Sequence, residues 1–452
     1  MAGNRHTIQD VTIVNEGKCF QADVVIEDGR IKTLSNSPLT GEKQSLDEVN
    51  SSPLRGGGEG SVFLLPGIID GHVHMREPGL THKATMESET RAAARGGVTT
   101  VLDMPNVVPQ TTTLQLLEER YALAEGQCHV NYGFYLGATN DNLKEIKRLD
   151  TTRCPGVKLF MGSSTGNMLV DRKRTLRSIF RKSPTLIMAH CEDTAIINAN
   201  IEKARQMYGD DPDVRLHPAI RSREACIKST ALAVRLAREE GARLHVAHIT
   251  TAPELDLFSP DDERITAEVC VPHLLFTFAD YRRLGTRIKC NPAVKSLFDR
   301  DALRRALTDG RIRTIATDHA PHLLSEKEGG ALKALSGMPM VQFSLPAMLS
   351  LVEEGILSIE RLVELMCHNP ARLYGIKERG FIREGYWADF TLIRRKPWTL
   401  TKDCIESRCG WSPLEGRTFN WQVEKTWVNG QLVWDGQHVN PDVMGQAVTF
   451  CP

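Results

Sequence analysis

Between Val62 and about Pro370 the chain repeats one pattern, a short apolar run followed by a longer stretch with apolar residues three and four apart. The runs are LLPGIID, VTTVLDM, VNYGFYLG, GVKLF, TLIMAH, RLHVAH, RITAEVCV and RIRTIAT. Each has the length of a strand, and near-continuous hydrophobicity is what a parallel strand covered on both faces needs. The segments between them, such as Ser222 to Glu240 and Asp299 to Asp309, carry helix formers at helical spacing. Strand and helix alternating eight times predict a (β/α)8 TIM-type barrel.

The two ends of the chain follow another rule. Val11 to Val14, Ala22 to Ile26 and Arg30 to Leu34 read as strands, with a turn at Asp28-Gly29. After Gly375, GFIREGYWADFTLI and KTWVNGQLVWDGQHV read as strands again, with turns at Asn429-Gly430 and Asp435-Gly436. Neither piece is large enough for a good core alone, so the ends are expected to join. The division is a composite β-sandwich from residues 1–61 and 375–452, flanking a barrel over 62–374. The polar stretch Ser35 to Gly60, with its GGGEG, is expected to be a surface loop.

Composition removes several classes of function. Fifty-six basic residues balance 56 acidic ones, so no net field would hold the chain on nucleic acid or an acidic membrane. No apolar run approaches the ~18 residues of a membrane span. Eleven scattered cysteines without a CxxC pair, and no secretory pattern in MAGNRHTIQDVTIV, fit a reducing cytoplasm.

Polar residues at the ends of the apolar runs carry the chemistry. His72 and His74 alternate at the end of the first run and would share the face at the barrel mouth. Lys158 stands inside GVKLF, where burial would favour a neutral amine able to add carbon dioxide and form a carbamate that bridges two cations. His190 closes TLIMAH and His248 closes RLHVAH; alternation puts His245 on the opposite face, as a packing residue. Asp318 ends the eighth run, the place of a metal-bound general base. Taken singly, each residue has an ordinary structural explanation, but together they converge on one face. Imidazoles and carboxylates without thiolates suit zinc.

These residues resemble the amidohydrolase superfamily and, within it, the cyclic amide hydrolases. The resemblance runs on through the tail His368-Asn369-Pro370-Ala371 to Gly385 and Asp389. It implies two zinc ions per chain, bridged by a carboxylated Lys158. Finer segments are similar to those of the dihydroorotase family: His74-Met75-Arg76-Glu77-Pro78-Gly79, Asp103-Met104-Pro105-Asn106, Ile288-Lys289-Cys290-Asn291-Pro292 and ATDHAPH. By that resemblance Arg76, Asn106, Asn291 and His322 would bind the substrate, with backbone groups at Ser336 and Gly337 touching the ring. The Gly- and Ser-rich segment from Gly162 to Asn167 looks like a lid.

The implied reaction is the reversible cyclisation of N-carbamoyl-L-aspartate to L-dihydroorotate for pyrimidine synthesis. A hydroxide shared by the metals would attack the ring amide, with Asp318 as general acid and base. A homodimer is the family expectation. The enzymatic rivals are hydantoinase and allantoinase, which would lack the carboxylate clamp of Arg76 and Asn106. A metal-free scaffold is the rival from another class.

Overall fold

The computed structural model describes residues 5–35, 60–162 and 168–451. Most of the expected surface loop and residues 163–167 of the expected lid lie outside them.

The barrel is built as its pattern predicts. Its strands are β5 (Ile68–Val73), β6 (Val98–Asp103), β7 (Asn131–Phe134), β8 (Leu136–Gly137), β9 (Val157–Phe160), β10 (Ile187–His190), β11 (Leu244–Val246), β12 (Ile265–Cys270) and β13 (Thr314–Ala316). β7 and β8 are one run broken at Tyr135, the first half pairing with β6 and the second with β9. The remaining neighbours pair in parallel from β9 to β13. A bridge between Val73 and His319, with the His74 N–H donating to the His319 carbonyl at 2.7 Å, brings β5 beside β13 and closes the ring. Every residue of these strands is buried, which accounts for their unbroken hydrophobicity. Ser222, where the first of the periodic stretches named above begins, caps the helix Arg223–Glu240, and Ser296, three residues before the start read at Asp299, caps Leu297–Ala306, each satisfying a first-turn N–H.

The chain ends meet in a seven-stranded sheet of β1 (Arg5–Asn15), β2 (Lys18–Glu27), β3 (Arg30–Ser35), β4 (Val62–Pro66), β14 (Phe390–Thr399), β15 (Thr418–Val428) and β16 (Gln431–Trp434). Their order is β16-β15-β14-β4-β1-β2-β3. Two boundaries differ from the sequence reading. Residues 62–66, assigned above to the barrel, are the strand that joins the two ends, parallel to β1 and antiparallel to β14, and the run LLPGIID divides at Gly67. The last residues, in turn, leave the end sheet. Tyr132 bridges Ala447 in parallel, and Phe450 is buried close to Gly133, so the tail covers the edge that β7 leaves open where the run breaks.

Asp389 fastens the two parts. Its carboxylate pairs with Arg379 and accepts from the Asn131 side chain at 3.1 Å and the Asn429 N–H at 2.7 Å. His368 donates to the Gly380 carbonyl at 2.7 Å and accepts from the Glu16 N–H at 2.9 Å. The tail residues thus act between the barrel and the sheet, away from the mouth.

Candidate active site

A recess at the carboxyl ends of the barrel strands is lined by His72, His74, Arg76, Asn106, Lys158, Phe160, His190, His248, Asn291, Asp318, Ala320, Ser336 and Gly337. The structure therefore gathers in one place every candidate metal and substrate residue named above except His322. That imidazole is fully buried behind Arg76, with Nε2 3.1 Å from an Arg76 Nη2.

Three of the four imidazoles are held from behind, His72 and His190 by carboxylates outside the recess and His74 by Asn106 on its wall. His72 Nδ1 donates to Glu268 at 2.6 Å, His74 Nδ1 to the Asn106 carbonyl oxygen at 2.8 Å and His190 Nε2 to Glu192 at 3.0 Å. Glu192 in turn pairs with Arg221. These bonds fix which nitrogen of each ring faces inward. His72 Nε2 and His74 Nε2 lie 3.3 and 3.0 Å from one oxygen of Asp318, and His190 Nδ1 lies 3.0 Å from His248 Nε2. Lone pairs brought this close to a carboxylate need a proton or a cation between them. Nor does the Lys158 amine, fully buried, have a hydrogen-bond partner.

Burial shapes the charges. It pushes His74 down to about 4, and His190 and His248 below the usual imidazole range, leaving neutral rings suited to a metal. It also pushes Lys158 down toward the free amine, against the pull of Glu268 and Asp318. Burial alone would raise Asp318, but His72, His74 and Lys158 outweigh it and hold the carboxyl well below its ordinary range. Four imidazoles, a lysine amine and a carboxylate on converging segments are a donor set that fits divalent metal.

The other wall carries Arg76. Its guanidinium is buried, donates to the Pro321 carbonyl at 3.0 Å, and forms no ion pair with a carboxylate among the described residues. Behind it His322 accepts from Lys83 at 3.1 Å and donates to the Ser336 carbonyl at 3.1 Å. The Asn291 Oδ1 is buried without a partner. At Gly337 the φ of +137° and the Ala320 carbonyl, 2.5 Å from where a Cβ would stand, let the backbone pass where no side chain fits.

Strand alternation failed at His245. His248 lies beyond the end of β11 with φ +38°, so the alternation is broken before it. His245 therefore points into the barrel, bonded to Thr266 at 2.8 Å, with Nε2 3.6 Å from Glu268. Glu268 itself was overlooked, although a carboxylate inside ITAEVC is the same signal as the lysine inside GVKLF. It also accepts from the His248 N–H at 3.2 Å, linking two of the candidate ligands.

Residues 63–433 match the amidohydrolase family. The chain belongs to that family. It is 34% identical to a dihydroorotase of Halobacterium salinarum over 92% of this chain and 97% of the relative. It is also 32% identical to an allantoinase of Streptomyces avermitilis, over 84% and 87%. Among solved structures it resembles an L-hydantoinase from Arthrobacter aurescens, with a TM-score of 0.88 and 27% identity, covering 98% of this chain and 99% of that one. The protein is a cyclic amide hydrolase of a generally metal-dependent family, with a barrel and a β-rich domain drawn from both ends. No helix among the described residues is long and apolar enough to cross a membrane.

Proposed function

We propose that this cyclic amide hydrolase is a dihydroorotase, interconverting N-carbamoyl-L-aspartate and L-dihydroorotate. The observation that carries the reading is Arg76, a buried cation without a carboxylate partner facing the same recess as the imidazoles. A buried charge is costly unless paired, and a substrate carboxylate would complete it through a charge-assisted fork. Hydantoin and allantoin carry no such carboxylate.

In this reading His72, His74, His190, His248 and Asp318 would hold two zinc ions, and Lys158, as a carbamate formed from its neutral amine and carbon dioxide, would add an anionic ligand to them. When bound, the ions supply Lewis-acid activation of the attacking water and of the ring carbonyl. Asp318 takes the water's proton and delivers it to the departing ring nitrogen. The reverse sequence closes the ring and releases water. Arg76 holds the exocyclic carboxylate, Asn106 and Asn291 direct their amides at it and at the ring, and His322 stands behind Arg76. The backbone at Ser336 and Gly337 borders the ring. A homodimer in a reducing cytoplasm belongs to the same reading, and light scattering tests the assembly.

The test is a ring-opening assay on L-dihydroorotate, with hydantoin and allantoin in parallel and zinc measured in the same preparation. Turnover of dihydroorotate with about two zinc ions per chain is expected. Preference for hydantoin or allantoin would overturn the substrate, and a folded, metal-free, inactive protein would overturn the enzyme.

A further inference from the structure

At the opposite end of the barrel, three neighbouring strands are each preceded by an arginine: Arg243 before β11, Arg264 before β12 and Arg313 before β13. Leu244 pairs with Ile265, which sets Arg243 beside Arg264 on strands about 4.8 Å apart, while Arg313 stands opposite Ala267, three residues further along β12. A fourth, Arg372, comes from the helix Asn369–Tyr374 beneath them. All four line one open recess of about 410 Å³, together with Glu263, Thr266, Asn369 and Leu373. That size lies within the range of small-ligand sites.

The chain does not neutralise these charges. Among the described residues none of the four forms an ion pair; they donate only to neutral oxygens. Arg243 reaches the Leu373 carbonyl at 2.8 Å, Arg264 the Gly241 carbonyl, Arg313 the Pro260 carbonyl at 3.4 Å and Arg372 the Asn369 side chain at 3.3 Å. Nearby acids do not answer them. Glu263 is exposed and forms no ion pair among the described residues, and Asp262 is turned to the N–H groups of Arg264 and Ile265. Burial and then the charge of Arg264 pull Arg243 below its ordinary range, as expected where like charges crowd. This is unusual local charge for a chain whose basic and acidic residues balance.

We propose that this recess on the barrel floor is a binding site for a small molecule bearing a diphosphate. Each guanidinium keeps donors free of its carbonyl contact, and a planar fork matches two phosphoryl oxygens. Two linked phosphoryl groups present more anionic oxygens over a longer span than one does, and so can engage more of the four forks at once. The site does not depend on the reaction assigned to the mouth. It sits, however, at the amino ends of the strands whose carboxyl ends carry His248, Glu268 and Asp318.

The test is calorimetric titration of the full-length protein with inorganic pyrophosphate, orthophosphate and adenosine diphosphate, repeated on Arg264→Gln/Arg372→Gln. One pyrophosphate per chain is expected, bound at least tenfold more tightly than orthophosphate and at least tenfold more weakly by the double variant. Zinc content and ring-opening activity of the variant without added anion should be unchanged. Adenosine diphosphate binding more tightly than pyrophosphate would make the ligand a nucleotide; equal or weaker binding would make it a bare diphosphate group. No saturable binding, orthophosphate bound as tightly, or an undiminished affinity in the double variant, which would put the anion elsewhere, metal centre included, would each overturn the proposal.

Discussion

The imidazole wall of the recess and the wall around Arg76 differ in what holds them. On the first, His72 and His190 lie within strands, and Glu268 and Glu192 anchor their outer nitrogens. On the second, Arg76, Asn106, Asn291, Ser336 and Gly337 all stand on loops. Two of those loops, the one before Asn291 and the one carrying Ser336 and Gly337, are fastened by buried lysines. Lys327 donates to the carbonyls of Lys289, Leu335 and Gly337 at 3.2, 2.6 and 2.7 Å, and Lys289 donates to that of Ala334. Strands fix a side chain by register, whereas loops need added bonds, and this chain supplies some of them from lysine side chains to carbonyls.

The comparison can be broken most severely at Asp318, which faces both sets of groups. Asp318→Ala should lower kcat by about 10⁴-fold, the upper range for a general acid and base, while much of the zinc stays on the remaining ligands. Retained turnover would remove Asp318 from the proton path.

Next comes the clamp alone. Arg76→Gln should cost dihydroorotate about 10²-fold in kcat/KM, since a hydrogen bond to a charged group is worth about 1.5–3 kcal/mol. Zinc content should not change. A parallel loss of metal would mean that the two walls are not separate.

On the other wall, Glu268→Gln keeps the shape but removes the negative charge from His72. Metal affinity, read by competition with a chelator, should fall about 10- to 100-fold. An unchanged affinity would reduce Glu268 to packing.

The last effect is on stability rather than on activity or metal, and concerns the fastening of the loops. Burial lowers Lys327 from 10.5 to about 7. Between those values the unfolded chain binds a proton that the folded protein does not, so the stability owed to this residue rises with pH and levels off below about 7. The stability of the natural protein minus that of Lys327→Met should grow by on the order of 1 kcal/mol per pH unit from 7 to 10 in urea unfolding. A flat difference would show that the amine titrates normally.

Read from the sequence, the barrel, its eight runs and the convergent histidines were accessible because parallel strands have a simple signature and barrel chemistry gathers at their carboxyl ends. Glu268 was accessible by the same reasoning as Lys158. His245 was not, because the backbone at His248 leaves the strand with a positive φ that no periodicity reveals. The path of the tail along β7 was equally hidden, since it depends on the break at Tyr135.

The amino-acid sequence by itself determined the element order, the balance of charge and the residue types gathered at the mouth. These depend on local periodicity and on chemistry that each residue carries with it. Only the tertiary structure decided which nitrogen of each imidazole faces inward, that Arg76 is buried without a carboxylate, and that four arginines far apart in the chain share one floor. Those are properties of neighbours distant in sequence, and burial sets their energies: the same guanidinium that is an ordinary surface charge in water becomes, at Arg76, a cation in need of a partner.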